Sequence, residues 1–222
     1  MNINEYSPAG DLVSRDKPLT QANLHSWYPR IDGIRWNYVI NKNQKYDSNS
    51  DLASNDLDRK FLSAIRESSD LIITTGKTAR TESLNSSKFA PILILTKDNQ
   101  IDVPATRNLS THEVIVAGTE GFKDFMNPKA CSIRAKIGNL PFWLKEFCSN
   151  YESVVLESGM ATAKELIDAR MVSEIDLTIS LANTFTEARQ QLSEFLKVLE
   201  VEPKIFQVLS GDSTWFFRCQ VS

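Results

Sequence analysis

The chain has few of the residues that build disulfide frameworks, metal clusters or flexible linkers. Its 222 residues include 3 cysteines, 2 histidines and 8 glycines. Cys131, Cys148 and Cys219 show no Cys-x-x-Cys spacing, which indicates reduced thiols rather than a disulfide scaffold. His25 and His112 lie far apart in the sequence, which argues against a histidine-based metal site.

Long apolar runs and an excess of one charge are also missing. No segment approaches the ~20 apolar residues that a membrane helix needs, and the N-terminus lacks a signal-peptide core. Together with the reduced cysteines, these features predict a cytoplasmic protein. The net charge of −3 and the scattered basic residues argue against nucleic-acid binding. A hydrophobic content of 41% is ordinary for a globular protein, and the length permits one large α/β domain.

Two nucleotide-binding sequences are absent as well. No Gly-x-Gly-x-x-Gly loop follows any predicted strand, so the usual dinucleotide fingerprint is missing. Gly76-Lys77-Thr78 does follow a predicted strand, but a Walker loop needs a glycine where Leu71 stands. A phosphate cradle of the Walker kind is therefore not predicted.

The stretch from Tyr151 to Ile179 predicts a strand, a turn, a helix and a second strand. This order is a βαβ unit, which makes a parallel pair with a right-handed crossover. Its turn is Glu157-Ser158-Gly159, and Thr162 with Glu165 is a candidate capping box for its helix. A helix N-terminus after such a turn can bind a phosphate, and a glycine lets the ligand approach closely. An ordinary connection is the alternative interpretation.

Similar patterns predict the rest of the fold. Apolar runs indicate further strands at Trp36–Ile40, Leu71–Thr75, Pro91–Thr96, Val114–Ala117, Cys131–Ile133, Ile205–Leu209 and Trp215–Gln220. Helical spacing indicates a helix within 51–69. It indicates a second helix over Leu140–Ser149, with Phe142, Trp143 and Phe147 as core residues. A third helix is indicated over Asn183–Glu200, with Thr184 and Glu187 as a capping box. Continuous apolar strands favour a mostly parallel sheet that is covered on both faces.

The two ends of the chain differ in character. Residues 1–30 show no clear period and predict an extended surface arm, with Trp27 and Tyr28 as a candidate anchor. Residues 31–222 are predicted to form a single domain. Its last two strands should make an antiparallel hairpin around Gly211-Asp212 at the edge of the sheet.

Four segments share a pattern with one known family. Glu157 to Ile179 aligns without a gap to Glu-Gly-Gly-Pro-Thr, a helix, and Leu-Val-Asp-Glu-Leu, with Ser158, Met160-Ala161 and Ser173 as departures. The other matches are Asn37 and Val39 in the first strand, Ser54, Asp58, Arg59 and Arg66 in the helix, and Thr78, Arg80 and Glu82 after the second strand. Together these residues resemble the pyrimidine reductase domain of the riboflavin-biosynthesis reductase family.

The resemblance implies a fold and an activity. The fold is α/β: a dihydrofolate-reductase-like three-layer sandwich with a mixed, mostly parallel central sheet, helices on both faces and a C-terminal antiparallel hairpin. The activity is NADPH-dependent reduction of a phosphoribosylamino-pyrimidine, with hydride delivered to the ribosyl C1′. NADPH is the implied cofactor, and a small molecule is the implied substrate.

The resemblance also implies roles for individual residues. The cofactor-binding residues are Thr75, Gly76, Lys77, Thr78, Lys97, Ser158, Gly159 and Met160. The substrate-binding residues are Asn37, Asn43, Arg59, Arg66 and Glu82, and the catalytic residues are Glu82 and Glu157. Either glutamate could position substrate amines or stabilise an iminium-like state. No residue is identified as the proton donor, and no metal is implied.

Departures from the family pattern leave alternatives open. Asn43-Gln44 replaces an Asp-Gly that lies beside the nicotinamide in the family, and the turn at Ser158 is altered. A reductase of another pterin or pyrimidine, or a non-catalytic nucleotide-binding homologue, would also fit. Family relatives usually pair, which implies a homodimer through the Thr184–Glu200 helix or the Trp215–Phe217 strand. The alternative is that the N-terminal arm covers that edge within one chain.

Overall fold

The computed structural model describes residues 1–41, 55–97, 101–107, 112–118, 131–134 and 139–221, so Asn43, Gln44 and Ser54 lie outside the described residues. Its strands are β1 (Asn2–Tyr6), β2 (Leu12–Pro18), β3 (Gly33–Asn41), β4 (Leu71–Thr75), β5 (Ile92–Thr96), β6 (Val114–Gly118), β7 (Cys131–Arg134), β8 (Ser153–Glu157), β9 (Val172–Ser180), β10 (Lys204–Gly211) and β11 (Thr214–Gln220). Its helices are α1 (Gln21–Trp27), α2 (Asp56–Glu67), α3 (Gly76–Thr81), α4 (Pro104–Arg107), α5 (Leu140–Phe147), α6 (Met160–Asp168) and α7 (Phe185–Leu199).

All of these strands belong to one sheet, in the order β2-β1-β10-β11-β9-β3-β8-β4-β5-β6-β7. The seven strands from β9 to β7 run parallel to one another. The pairs from β2 to β9 are antiparallel. The prediction of a mixed, mostly parallel sheet is confirmed, and β8 lies in its interior between β3 and β4. β8, α6 and β9 do form a βαβ unit, but the two strands are not a directly bonded pair as predicted, because β3 lies between them and pairs with both.

Helices cover both faces of the sheet. On one face, a core cluster includes Leu144 of α5, Leu166 of α6 and Phe195 of α7. On the other, a second cluster includes Trp27 of α1 and Phe61 of α2. The three-layer, dihydrofolate-reductase-like arrangement expected from the sequence is therefore confirmed. Among the described residues, no helix combines the length and the apolar character that crossing a membrane requires.

The N-terminal stretch is not the extended arm that its weak periodicity predicted. β1 pairs with β10, β2 pairs with β1, and Ile3 is fully buried between them and the neighbouring helices. Consequently the β10–β11 hairpin forms as predicted but lies inside the sheet rather than at its edge. Trp27 and Tyr28 do act as anchors, since their rings pack on Phe61 at 6.0 and 5.4 Å between centroids.

Two local predictions are also wrong. α6 begins at Met160 with Gly159 as its N-cap, one turn earlier than a Thr162–Glu165 capping box requires. Phe142 is 71% exposed rather than part of the core, because Leu144 occupies the inward position of the short helix α5. In α7 the predicted cap is present, since the Thr184 hydroxyl oxygen accepts from the Glu187 backbone N–H at 3.2 Å.

Candidate active site

The carboxyl ends of β4, β5 and β8 lie side by side at one edge of the parallel sheet. Thr74 is the register partner of Glu157, and Thr75 is the partner of Leu95. The Thr74 hydroxyl donates to the Glu157 carbonyl oxygen at 2.9 Å, which ties the two strand ends together. Ligands of open parallel sheets bind at this end of the strands. The predicted cofactor segments Thr75–Thr78 and Ser158–Met160, with Lys97 directly after β5, thus come to the same edge.

The two helices that start at this edge have different N-termini. α3 is capped by Thr75, whose hydroxyl oxygen accepts from the Thr78 backbone N–H at 3.2 Å. α6 has Gly159 as its N-cap, which offers no side chain to its first-turn N–H groups. A Cβ built on Gly159 would meet no heavy atom of the described chain within 4 Å. Because helix N-termini attract anions, the open N-terminus of α6 is the candidate phosphate site at this edge.

Gly76 is a glycine for a different reason. A Cβ at this buried position would lie 2.8 Å from the Thr96 hydroxyl oxygen and 2.8 Å from the Ile101 Cδ1. These distances are shorter than ordinary van der Waals contact, so the missing side chain allows α3 to pack closely on β5. The structure thus accounts for Gly76 by packing, and its predicted contact with a cofactor stays a prediction.

Arg66 and Glu157 form a two-pronged ion pair beneath α2. The Arg66 Nε donates to Glu157 Oε1 at 2.7 Å, and Nη2 donates to Oε2 at 2.5 Å. Glu157 retains only 8% of its side-chain exposure, so both of its oxygens are held inside the protein. The charge of Glu157 raises the pKa of Arg66 against the opposing effect of burial, and the charge of Glu82 adds to the increase.

The other predicted substrate residues are less closely gathered. Asn37 follows Trp36, which pairs with Leu156, so the register places Asn37 beside Glu157 on the adjacent strand. Arg59 lies two turns before Arg66 on α2, but its side chain is 63% exposed and 3.5 Å from the exposed Asp56. Only Arg66 of the two arginines is joined to the strand ends. Their roles in substrate binding stay predictions.

Sequence reasoning missed a hydrogen bond that fixes the turn at the site. The Trp36 indole N–H donates to the Ser158 carbonyl oxygen at 3.1 Å, and both residues are buried. The turn after β8 is therefore held by β3 and by β4 at the same time. A buried tryptophan normally finds an acceptor for its N–H, but the sequence does not say which one.

Sequence reasoning also missed a buried charge cluster, which lies on the face of the sheet that α2 covers. Arg218 donates to Glu174 at 2.7 and 2.9 Å, and Arg35 donates to Glu174 at 2.9 Å. Asp176 lies 3.2 Å from the Arg35 Nε, yet its oxygens accept no hydrogen bond in the described part of the chain. Burial raises the pKa of Asp176 well above its ordinary value. The available signal was the alternation of charged residues within a strand that is otherwise apolar.

This cluster attaches the N-terminal segment to the sheet. Arg35 donates to the Pro29 carbonyl oxygen at 2.9 Å, and Arg218 donates to the Trp27 carbonyl oxygen. Register then links the cluster to the site, since Asp176 is the cross-strand partner of Arg218 and of Asn37. A row of polar residues thus crosses β11, β9, β3 and β8 and ends at Glu157.

Comparison with known proteins shows which folds the chain is similar to. No protein-family model matches it, and no curated protein sequence matches it. A pyrimidine reductase-like protein of Corynebacterium diphtheriae is 14% identical, with a TM-score of 0.64 over 90% of this chain and 94% of that one. A Thermotoga maritima diaminohydroxyphosphoribosylaminopyrimidine deaminase/5-amino-6-(5-phosphoribosylamino)uracil reductase is 13% identical, with a TM-score of 0.66 over 91% of this chain and 60% of that one.

The riboflavin biosynthesis reductase of Saccharomyces cerevisiae has the same fold. It is 12% identical, with a TM-score of 0.59 over 86% of this chain and 90% of that one. At such identities the likeness establishes a shared architecture, so the chain has the fold of these pyrimidine reductases. Function has to be argued from the site itself.

Proposed function

We propose that the chain is a cytoplasmic, NADPH-dependent reductase of a phosphoribosylamino-pyrimidine in riboflavin biosynthesis. The observation that carries this proposal is the turn at Glu157-Ser158-Gly159. It sets a buried, ion-paired carboxylate beside an open helix N-terminus, at the sheet edge where ligands of this architecture bind. The shared fold with pyrimidine reductases supports it.

The residues at this edge fit a nicotinamide dinucleotide. Ser158, Gly159 and Met160 would hold a phosphate at the N-terminus of α6, where the structure leaves room. Thr75 to Thr78 would flank the cofactor from α3, and the exposed Lys97 would meet its 2′-phosphate. NADPH supplies the hydride when bound, while the chain orients it against the substrate.

The substrate would lie on the α2 side of the same edge. Glu157 and Glu82 would accept from the amino groups of the pyrimidine, Asn37 and Asn43 would contact other parts of the substrate, and Arg66, with Arg59, would bind the phosphate. Guanidinium groups suit phosphate because they donate two parallel hydrogen bonds. Hydride delivered to the ribosyl C1′ would open the sugar to a ribityl chain.

Turnover with the proposed substrate tests this function. NADPH absorbance is followed with 5-amino-6-(5-phosphoribosylamino)uracil for the wild type and for Glu82→Ala, which should lose at least ~100-fold in kcat/KM if its carboxylate acts on the reacting substrate. Glu165→Ala is the matched control, since Glu165 is an exposed glutamate on the outer face of α6. Full activity of Glu82→Ala would remove Glu82 from this role.

A non-catalytic nucleotide-binding protein is the second candidate. The closed Arg66–Glu157 pair favours it, because both oxygens of the predicted catalytic carboxylate are already in use. NADPH titration followed by tryptophan fluorescence separates the two. Tight binding without turnover on a panel of pyrimidines and pterins would support the binding protein. A reductase would then remain possible only for a heterocycle outside that panel.

We also propose that two chains pair. The Trp215–Phe217 strand is not available as a surface, since all three residues are buried within the sheet. The remaining candidate is α7, whose Val198 is 49% exposed. Light scattering should give about twice the 25.1 kDa chain mass. A mass equal to one chain would contradict pairing.

A further inference from the structure

In the Arg66–Glu157 pair, each charged group already has the other as its hydrogen-bonding partner. Its two N–H···O contacts of 2.7 and 2.5 Å run in parallel, which is the strongest geometry available to a guanidinium and a carboxylate. Glu157 is buried, and the Thr74 hydroxyl holds its backbone in place. A ligand group that uses either partner must therefore replace an existing, well-formed contact.

A second carboxylate makes it still more unfavourable for a ligand to replace one partner of the pair. Glu82 is half-buried at the end of α3, and its charge acts on Arg66. A lone anion that approaches Arg66 therefore meets two negative groups as well as a formed ion pair. A lone N–H donor that approaches Glu157 must compete with a guanidinium. In the first case the buried Glu157 loses its partner, which is strongly unfavourable, and in the second the half-buried Arg66 loses its partner.

A ligand that carries both an anion and N–H donors avoids the cost of leaving one partner of the ion pair unpaired. Its anion would take over Arg66 while its N–H donors take over Glu157, so that neither the half-buried guanidinium nor the buried carboxylate is left unpaired. We infer that the Arg66–Glu157 pair is a two-point specificity determinant, which admits ligands that carry an anionic group and an N–H donor together and rejects ligands that carry only one. This inference rests on the proposed function for the class of ligand, since an aminopyrimidine that bears a phosphoribosyl group has both.

Arg107 provides the contrast at the surface. It donates to Asp102 through Nε and Nη2 at 2.5 and 2.6 Å, but the two side chains are 61% and 70% exposed. Water can solvate both charges when such a pair opens, so an exposed pair adds little energy and imposes no such selection. Arg107→Gln is therefore a matched control for Arg66→Gln.

The first test uses the wild-type chain alone. Calorimetry measures the affinity of inorganic phosphate with and without saturating 5,6-diaminouracil, which brings N–H donors but no anion. The inference predicts that diaminouracil tightens phosphate binding by about tenfold or more, and that phosphate tightens diaminouracil binding by the same factor. Phosphate affinity that is independent of diaminouracil, or phosphate that fails to bind under both conditions, would overturn the inference.

The second test uses variants whose folding is checked by circular dichroism. Glu157→Gln removes the internal competitor, so it should tighten phosphate binding by about tenfold in the absence of diaminouracil and abolish the coupling. Arg66→Gln should lose phosphate binding, and Arg107→Gln should bind it as the wild type does. Unchanged phosphate affinity in Glu157→Gln, or its loss in Arg107→Gln, would overturn the inference. If Glu157→Gln does not fold, the wild-type coupling still decides.

Turnover is measured separately, so that the two proposals can fail independently. Coupled binding without NADPH oxidation would refute the reductase and leave the specificity determinant standing. NADPH oxidation by a chain that binds phosphate and diaminouracil independently would refute the specificity determinant alone.

Discussion

Replacing Gly159 with alanine should separate cofactor binding from stability. Gly159 has φ −64° and ψ 165°, a backbone conformation open to any residue, and a Cβ there would touch nothing in the described chain. Alanine gains about 0.4–1 kcal/mol by restricting the unfolded chain. It loses a similar amount as a helix N-cap, where glycine is the better residue. The free energy of unfolding should therefore change by less than ~1 kcal/mol.

Cofactor affinity should respond strongly to the same change. The new methyl group would occupy the room beside the N-terminus of α6, so a phosphate could no longer approach the backbone N–H groups. A hydrogen bond to a charged group contributes about 1.5–3 kcal/mol, which corresponds to a loss of roughly 10- to 150-fold in affinity. Tryptophan quenching by NADPH measures this loss, and urea unfolding measures the stability.

Gly76→Ala is the matched comparison, with the opposite expectation. Its Cβ would lie 2.8 Å from Thr96 and from Ile101, so the packing of α3 on β5 must shift. Overpacking of this kind costs about 1–3 kcal/mol of stability. Gly159→Ala with wild-type NADPH affinity, or with a stability loss above ~2 kcal/mol, would refute the assignment of open space at α6.

Three further predictions concern the rest of the molecule. Glu174→Gln weakens the acceptor that Arg218 and Arg35 share, so urea unfolding should show a loss of about 3–5 kcal/mol, and a loss below ~1 kcal/mol would contradict the cluster's role. Burial raises the pKa of Asp176, so the stability that its bound proton provides is complete below the ordinary value of 3.8 and is lost as the pH rises above it. Asp176→Asn should accordingly flatten the fall in melting temperature as the pH rises above 3.8, and an unchanged profile would contradict the raised pKa. Phe142→Ser should change stability by less than ~0.5 kcal/mol in the same unfolding assay, since the ring is exposed.

The centre of the fold could be predicted because its signals are local. β5 is a continuous apolar run, and Thr184 carries the side-chain oxygen that caps α7, as its capping-box sequence predicted. The βαβ pattern also predicted that the strand before the turn at Glu157 runs parallel to the strand after α6, although it did not show that β3 would lie between them. Parallel topology then brings that turn to the same edge as Thr75 without any further information.

The N-terminal strands could not be predicted because they depend on distant partners. β2 is mostly polar and exposed, and its pairing with β1 contains register shifts, so no clear alternation appears in the sequence. β1 becomes a strand through its pairing with β10, far away in the chain. Strand formation of this kind reflects tertiary context rather than intrinsic propensity.

The ion pairs of the site were hidden for the same reason. Arg66 and Glu157 are 91 residues apart, and Arg218 and Glu174 are 44 residues apart. Helical spacing placed Arg66 and Arg59 on one face of α2, but it could not say that only Arg66 reaches a strand end. Likewise, helical spacing in a helix as short as α5 does not show that Phe142 faces outward.

The most direct test of the proposed reductase is the transfer of an isotope label. The chain is incubated with 5-amino-6-(5-phosphoribosylamino)uracil and NADPH that carries deuterium at both C4 positions of the nicotinamide. Mass spectrometry and NMR should find one deuterium in the product, at C1′ of a ribityl chain. A product without deuterium, deuterium at any other carbon, or no product at all would contradict the proposal.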